Sequence, residues 1–487
     1  MAVEPKNLIV IMSDEHSAKM LGCYGHLIVA TPHLDALAAS GTRFDRAYCN
    51  SPVCVPARAV FATGAYVHQV GFWDNADPYD GSVPSWHHRL RRAGHHVVSF
   101  GKLHFRDGDD DNGFSQEVIP MHVVEGKGDL MSLLREDLPR RAGSYKMADF
   151  AGAGESSYTT YDRAIVAHAQ SWLHEQAPRH ADRPWVLFVS FVAPHFPLTA
   201  PPEHFYRYYR DPALPMPKLY DPVLRPDDPF LREYGASFAY DEHFDTPDRV
   251  RRAIAGYFGL CSFLDENVGK LVDAVRTSGH AGDTRVIYTS DHGDNLGARG
   301  VWGKSTMYEE AVAVPFIMAG PGIAAGAVCR TPVTHVDAFP TILEAAGVAP
   351  APEDARLPGR SLFAVAAGAD PGRVAFSEYH GMGSVTGTFM VRSGRWKYIH
   401  SVAYQPLLFD LEADPEELSN RAADPDCGEA LNACHAVLRG ICDPAAVDAA
   451  AKRRQAEQLE RHGGRQAVIE RGDLGFSPPP GTAASFS

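Results

Sequence analysis

Asn7-Leu8-Ile9-Val10-Ile11-Met12 is apolar without the alternation of a half-exposed strand, and it stops abruptly at Ser13-Asp14-Glu15-His16. Such a run predicts a central parallel strand covered on both faces. The figure returns further along. Thr284 to Ser290 runs into Asp291-His292-Gly293-Asp294, His95 to Phe100 into Gly101-Lys102-Leu103-His104, and Pro184 to Val192 into Ala193-Pro194-His195. Parallel strands need long, usually helical crossovers, and residues 160–176 and 248–278 have helical patterns. The expected fold is therefore α/β, a large mostly parallel sheet flanked by helices. In such sheets ligands bind beyond the carboxyl ends of the strands, which makes these charged residues the first functional candidates.

At 487 residues the chain exceeds one ordinary core. The strand and helix pattern continues to about residue 370, so 1–370 is the expected catalytic domain. Short alternating strands at 374–379, 388–392 and 396–400, then an apolar run at 407–411, predict a small antiparallel subdomain over 371–442. The remainder, 443–487, is a charged helix and a Pro-rich end, expected to be a solvated arm or a contact with a neighbouring subunit of a homo-oligomer. Acidic residues outnumber basic ones by 60 to 46, for a net charge of −14, which argues against nucleic acid or an anionic membrane as partner. No signal-peptide pattern opens the chain and no apolar run approaches a membrane span, so the expectation is a soluble, cytoplasmic protein. The eight cysteines are scattered, without a disulfide framework or a CxxC pair, and most are expected to be reduced and buried.

One cysteine stands apart. Ser51-Pro52-Val53-Cys54-Val55-Pro56-Ala57-Arg58 runs into an apolar stretch ending at Thr63-Gly64. Pro56 suits the first turn of a helix, which leaves Cys54 at the positive amino-terminal end, where an anion is favoured. Asp14 and Glu15 at one strand end, and Asp291 and His292 at another, are the residue types that hold a divalent cation. Helix capping explains such residues equally well in isolation. Lys102 and His104, two apart in extended chain, are expected to share a side, joining a fixed cation to a titratable base. Asn75, in Gly71-Phe72-Trp73-Asp74-Asn75, is a turn former or a pocket residue. The irregular stretch 106–157 offers no evident chemistry, and the Pro- and aromatic-rich 197–240 could shape a pocket or an oligomer contact. Trp73, Asp74 and the run Phe205 to Tyr209 read as packing, with a cation cage as the sharper alternative.

Cys-x-Pro-Ala-Arg followed by Thr-Gly resembles the signature of the sulfatase family, with Ala57 where Ser is usual. Asp14, Gly101-Lys102-Leu103-His104, Pro194-His195, Asp291-His292 and Gly303-Lys304 stand in that family's order, from about residue 7 to 420. The resemblance implies an alkaline-phosphatase-like fold and hydrolysis of a small-molecule sulfate monoester to alcohol and sulfate. It implies that a formylglycine-generating enzyme converts Cys54 to formylglycine, whose hydrated aldehyde supplies the nucleophile. A divalent cation, Ca²⁺ ahead of Mn²⁺, would be held by Asp14, Asp291, His292 and Glu15 and would meet residue 54. Arg58 would orient the hydrated aldehyde, Lys102 and Lys304 would neutralise sulfuryl oxygens, and His195 would serve the leaving alcohol. His104 would take the proton that restores the aldehyde, and Asn75 would contact the ester. Glu15 departs from the usual aspartate pair. Two alternatives remain open: a phosphonate monoester or phosphodiester hydrolase with the same nucleophile, and a non-catalytic protein that binds metal and anion. The Lys102 and His104 pair counts against the first.

Overall fold

The computed structural model describes residues 3–487. Eight strands form the main sheet: β1 (Asn7–Asp14), β2 (Gly41–Phe44), β3 (Val97–Lys102), β4 (Gln116–Met121), β5 (Val186–Pro194), β6 (Thr284–Ser290), β7 (Phe316–Ala319) and β8 (Ala327–Cys329). Their spatial order is β8-β2-β7-β6-β1-β5-β3-β4. β6, β1, β5 and β3 are adjacent and parallel, with Ser13 opposite Ser290, Asp14 opposite Pro194 and Gly101 opposite Ser190. Their carboxyl ends therefore share one edge. The four unbroken apolar runs are these four strands, and every residue of each is buried. The sheet is mixed because β7 runs antiparallel to both β6 and β2.

The covering helices include α1 (Pro32–Ala39), α2 (Cys54–Thr63), α3 (Ser157–Glu175), α4 (Pro247–Thr277) and α5 (Ala338–Ala346). α4 begins with Thr246 accepting from the Arg249 amide and with Pro247 in the first turn, an N-cap that local sequence dictates. Its Tyr257 hydroxyl donates to the Glu15 carbonyl at 2.5 Å and accepts from the Ser17 amide at 3.1 Å. The long helix thus pins the loop leaving β1, where Glu15 has φ of +70°.

A separate antiparallel meander follows: β9 (Val374–Tyr379), β10 (Thr388–Ser393), β11 (Trp396–Ser401) and β12 (Leu407–Asp410). Helix α6 (Gly428–Ile441) covers it through Cys434 and Leu438. The meander docks on the main body where Asn50 donates to the Phe376 carbonyl and accepts from the Glu378 amide. Helix α7 (Pro444–Arg461) and the chain beyond it do not stand in solvent. Gln455 of α7 is buried and donates to Asp74 at 2.6 Å, while Asp473 pairs with Arg141 at 2.7 Å. The expectation of a solvated arm fails because these buried polar side chains find partners on the main body. All eight cysteines are free. Among the described residues no helix is long and apolar enough to cross a membrane.

Candidate active site

Helix α2 opens at Cys54, and the preceding Val53 is extended and lacks a capping side chain. The missing cap comes from afar, since the Asn75 carboxamide oxygen accepts from the Val55 amide at 3.2 Å. The helix stops at Gly64 with φ of +70°, where a Cβ would lie 2.7 Å from that of Phe339. Both ends are thereby fixed, and the Cys54 thiol is held over the strand edge, 3.1 Å from His292 Nε2, 3.1 Å from Lys304 Nζ and 3.7 Å from Asp14 Oδ1. Burial pushes the thiol's pKa up, Asp14 adds to this, and Lys304 and Lys102 only partly offset it. An unmodified Cys54 is a thiol, not a ready nucleophile.

Arg58 lies one turn further along α2 and is buried. It donates to Asp291 at 2.8 Å and Asp14 at 3.1 Å, and its remaining contacts are the Lys102 carbonyl and Ser190 hydroxyl, both at 2.9 Å. Most of its donors are consumed in tying β1, β3, β5 and β6 together, a scaffolding position that spacing alone did not reveal. Burial disfavours charge on Asp14, yet Lys102, His195, Arg58 and Lys304 hold its pKa well below the usual carboxylate range.

Ligand atoms of Asp14, Cys54, Asp291 and His292 lie within 4.8 Å of one another. His292 Nδ1 lies 3.0 Å from the Gly293 carbonyl, an N–H donor's position, which turns the Nε2 lone pair towards the carboxylates. Two carboxylates and a correctly oriented imidazole fit a divalent cation. Glu15 stands apart from these four. It groups instead with Asp14 and His195, its Oε2 lies 3.2 Å from Lys304 Nζ, and its Oε1 has no partner. Burial raises its pKa well above the ordinary value.

Lys304 Nζ meets His195 Nε2 at 2.7 Å, and His195 Nδ1 meets the Phe196 carbonyl at 2.5 Å. Lys102 is fully buried and ion-paired with Asp14, so it stands behind the carboxylate. His104 faces the cavity, with β3 ending at Lys102 and His104 left-handed at φ +53°, and the two groups stay close enough for Lys102 to act on the imidazole. Both ring nitrogens of His104 are buried without a partner. Burial, then Lys102 and Arg58, lower its pKa well below the ordinary imidazole value. Glu15, His104 and Ser305, all left-handed, flank the site, and such conformations cost about 1–3 kcal/mol each and gather at functional sites.

The cavity above Cys54 is lined by Asn75, His104, His195 and Lys304 and by the aromatic residues Phe196, Tyr234, Phe238, Tyr240 and Phe476. The stretch 106–157, assigned no chemistry from sequence, contributes Asp129, Arg141 and Met147 to its wall. Residues 197–240 do shape the pocket, through Tyr234, Phe238 and Tyr240. Phe205 and Tyr208 instead are buried on a helix packed against α4, and Trp73 packs on His380. Neither joins a cage.

Buried carboxylates, paired ammonium groups and imidazoles around one side chain at a helix amino terminus make the site of a hydrolase acting on an anionic ester. Residues 6–348 match the sulfatase family, and residues 297–441 match the carboxy-terminal region of N-sulphoglucosamine sulphohydrolase. The choline-sulfatase of Rhizobium meliloti is 34% identical over 426 residues, 86% of this chain and 83% of that one. Arylsulfatase K of Danio rerio is 29% identical over 93% of this chain and 87% of its own length. Among solved structures, a phosphonate monoester hydrolase of Agrobacterium radiobacter shares the fold with a TM-score of 0.72 at 24% identity, covering 89% of this chain and 95% of that one. A protein solved with its substrate D-glucosamine-2-N,6-O-disulfate has a TM-score of 0.71 at 22% identity, covering 90% and 97%. The chain belongs to the sulfatase family and is a sulfuric ester hydrolase.

Proposed function

We propose that this sulfatase cleaves a small sulfate monoester using a formylglycine made from Cys54 and a divalent cation held by Asp14, Asp291 and His292. The observation that carries the reading is the convergence of those ligands on Cys54, itself too strongly held as a thiol to attack unaided. When bound, the cation supplies Lewis-acid activation of the hydroxyl on residue 54 and of the ester. Ca²⁺ is our first choice because the carboxylate oxygens suit it, and Mn²⁺ the second because of the softer imidazole. Glu15 has its free Oε1 as a further donor, while its Oε2 holds Lys304.

The chain's own residues do the rest. Arg58 bridges the two ligand carboxylates, and Lys102 neutralises Asp14 from behind. Lys304 faces the cavity with its ammonium directed at residue 54, Glu15 and His195, where it balances charge developing on the sulfuryl group. His195 accepts from Lys304 at Nε2 and so orients the ammonium beside the departing alcohol, to which Lys304 gives the proton. His104, neutral and unpartnered, is placed to take the proton that readies the site for another turnover. Asn75 caps α2 with its oxygen and keeps its amide N–H groups for the ester.

The discriminating experiment pairs turnover of an aryl sulfate with that of a phenyl phosphonate monoester on protein of known formylglycine content. A preference for sulfate supports this reading, and a preference for phosphonate replaces it with the runner-up hydrolase.

A further inference from the structure

The wall of the cavity opposite α2 comes from the far end of the chain. Residues 473–477 line it with Asp473, Leu474, Gly475, Phe476 and Ser477, and the first two and the last are buried. Four attachments fix this segment. Asp473 pairs with Arg141 at 2.7 Å and accepts from the Gly143 amide at 2.8 Å. Tyr158 donates to the Ser477 carbonyl at 2.5 Å, and Asp473 and Ser487 exchange backbone hydrogen bonds at 2.9 and 3.0 Å. Arg141 is itself clamped from the other side by Asp129 at 2.8 Å.

The segment reaches the chemistry through a relay of rings. Phe476 lies 5.9 Å from Phe196 and 5.5 Å from Tyr158, centroid to centroid, and Phe196 stacks on His195 at 4.4 Å. Phe476 therefore stands beside the residue that serves the leaving alcohol. The cavity volume is about 80 Å³, and the cavity opens in part to solvent; a single water needs roughly 10–15 Å³. A compact alcohol fits beside Phe476, and a bulkier one meets the wall.

Resting on the sulfatase reading above, we propose that residues 473–477 form a specificity-determining wall of the leaving-group subsite, which restricts the enzyme to small sulfate esters, with Arg141 as the positioning residue that holds the wall. A buried Arg between two carboxylates is an expensive arrangement to keep for a tail with no task, because each ion loses its hydration. Small apolar differences in a closed pocket are worth about 10–200-fold in selectivity.

The test compares kcat/KM for phenyl sulfate and biphenyl-4-yl sulfate, esters of phenols of similar acidity that differ by one ring. Wild-type enzyme is expected to favour phenyl sulfate by about tenfold or more. Phe476→Ala, and separately deletion of residues 473–487, are expected to move that ratio towards one. Arg141→Met should move it the same way with Phe476 intact, and Arg141→Lys should restore part of it. A wild type that does not discriminate, or a ratio unchanged in Phe476→Ala, overturns the proposal; the point variant decides should the deletion not fold. Absolute turnover of phenyl sulfate reports on the sulfatase reading and the ratio on the wall. If wild type cleaves only phosphonates, the ratio is read on the phenyl and biphenyl-4-yl esters of phenylphosphonic acid.

Discussion

Lys304 donates to His195 Nε2 across 2.7 Å while His195 Nδ1 is committed to the Phe196 carbonyl. Burial and then Lys304 lower the His195 pKa well below the ordinary imidazole value, whereas burial of Lys304 is outweighed by its acidic neighbours, the charged Asp14 among them, which raise its pKa. The acidic proton of the pair thus resides on the lysine. His195→Ala and Lys304→Met should each lose about 10²–10⁴-fold in kcat/KM on esters of weakly acidic alcohols, and much less on 4-nitrophenyl sulfate. Rates across a graded series of phenols measure this; equal losses at every leaving-group acidity would remove the pair from proton delivery.

His104 should be needed after the alcohol has left. His104→Ala is expected to release about one alcohol per site and then stop, a burst readable by rapid mixing. Because burial, Lys102 and Arg58 hold His104 neutral, the acid limb of wild-type kcat should lie well below pH 6.5. Sustained turnover by the variant contradicts the assignment.

Arg58 bridges two buried carboxylates. In cation-free protein, Arg58→Ala leaves Asp14 and Asp291 without that partner and should cost about 3–5 kcal/mol in urea unfolding. Chelation of wild type should abolish turnover, and Ca²⁺ should restore it better than Mn²⁺. Restoration by Mn²⁺ alone would reassign the metal while leaving the ligands in place.

Glu378 at the end of β9 joins the small sheet to the main body through His68 at 2.8 Å, and it also pairs with His380, two residues on, at 3.1 Å. Burial opposes its charge, but the two imidazoles hold its pKa at about 2, against an ordinary 4.5. Its stabilisation, about 3 kcal/mol, is therefore present above pH 4.5 and lost as pH falls towards 2. His68 is raised above 6.5 by Glu378 in spite of burial, so its share is full below pH 6.5 and lost as pH rises through the raised value. Glu378→Gln should remove both limbs from the stability profile measured by chemical denaturation. An unaltered profile would place the pH dependence elsewhere.

The strand ends were legible because central parallel strands are buried on both faces, which leaves no alternation to blur where Met12, Phe100, Val192 and Ser290 give way to charge. Cys54 and Arg58 were legible because one helical turn separates them. What Arg58 holds was not, since its partners lie on other strands. The left-handed turn at His104 was not legible, because the two-residue period applies only within a strand and β3 ends at Lys102. Arg141 and Asp473 lie 332 residues apart, and nothing local to either signals the other. Phe476 was hidden for the same reason: it sits in no periodic pattern, and only the folded wall brings it to the cavity.

The most direct measurement is the mass of the peptide containing residue 54, taken on the same preparation whose turnover of an aryl sulfate is compared with Cys54→Ala. The account predicts formylglycine at position 54, sulfate release in proportion to its fraction, and none from the variant. An unmodified cysteine in protein made alongside the modifying enzyme, or sulfate release that survives Cys54→Ala, would contradict it.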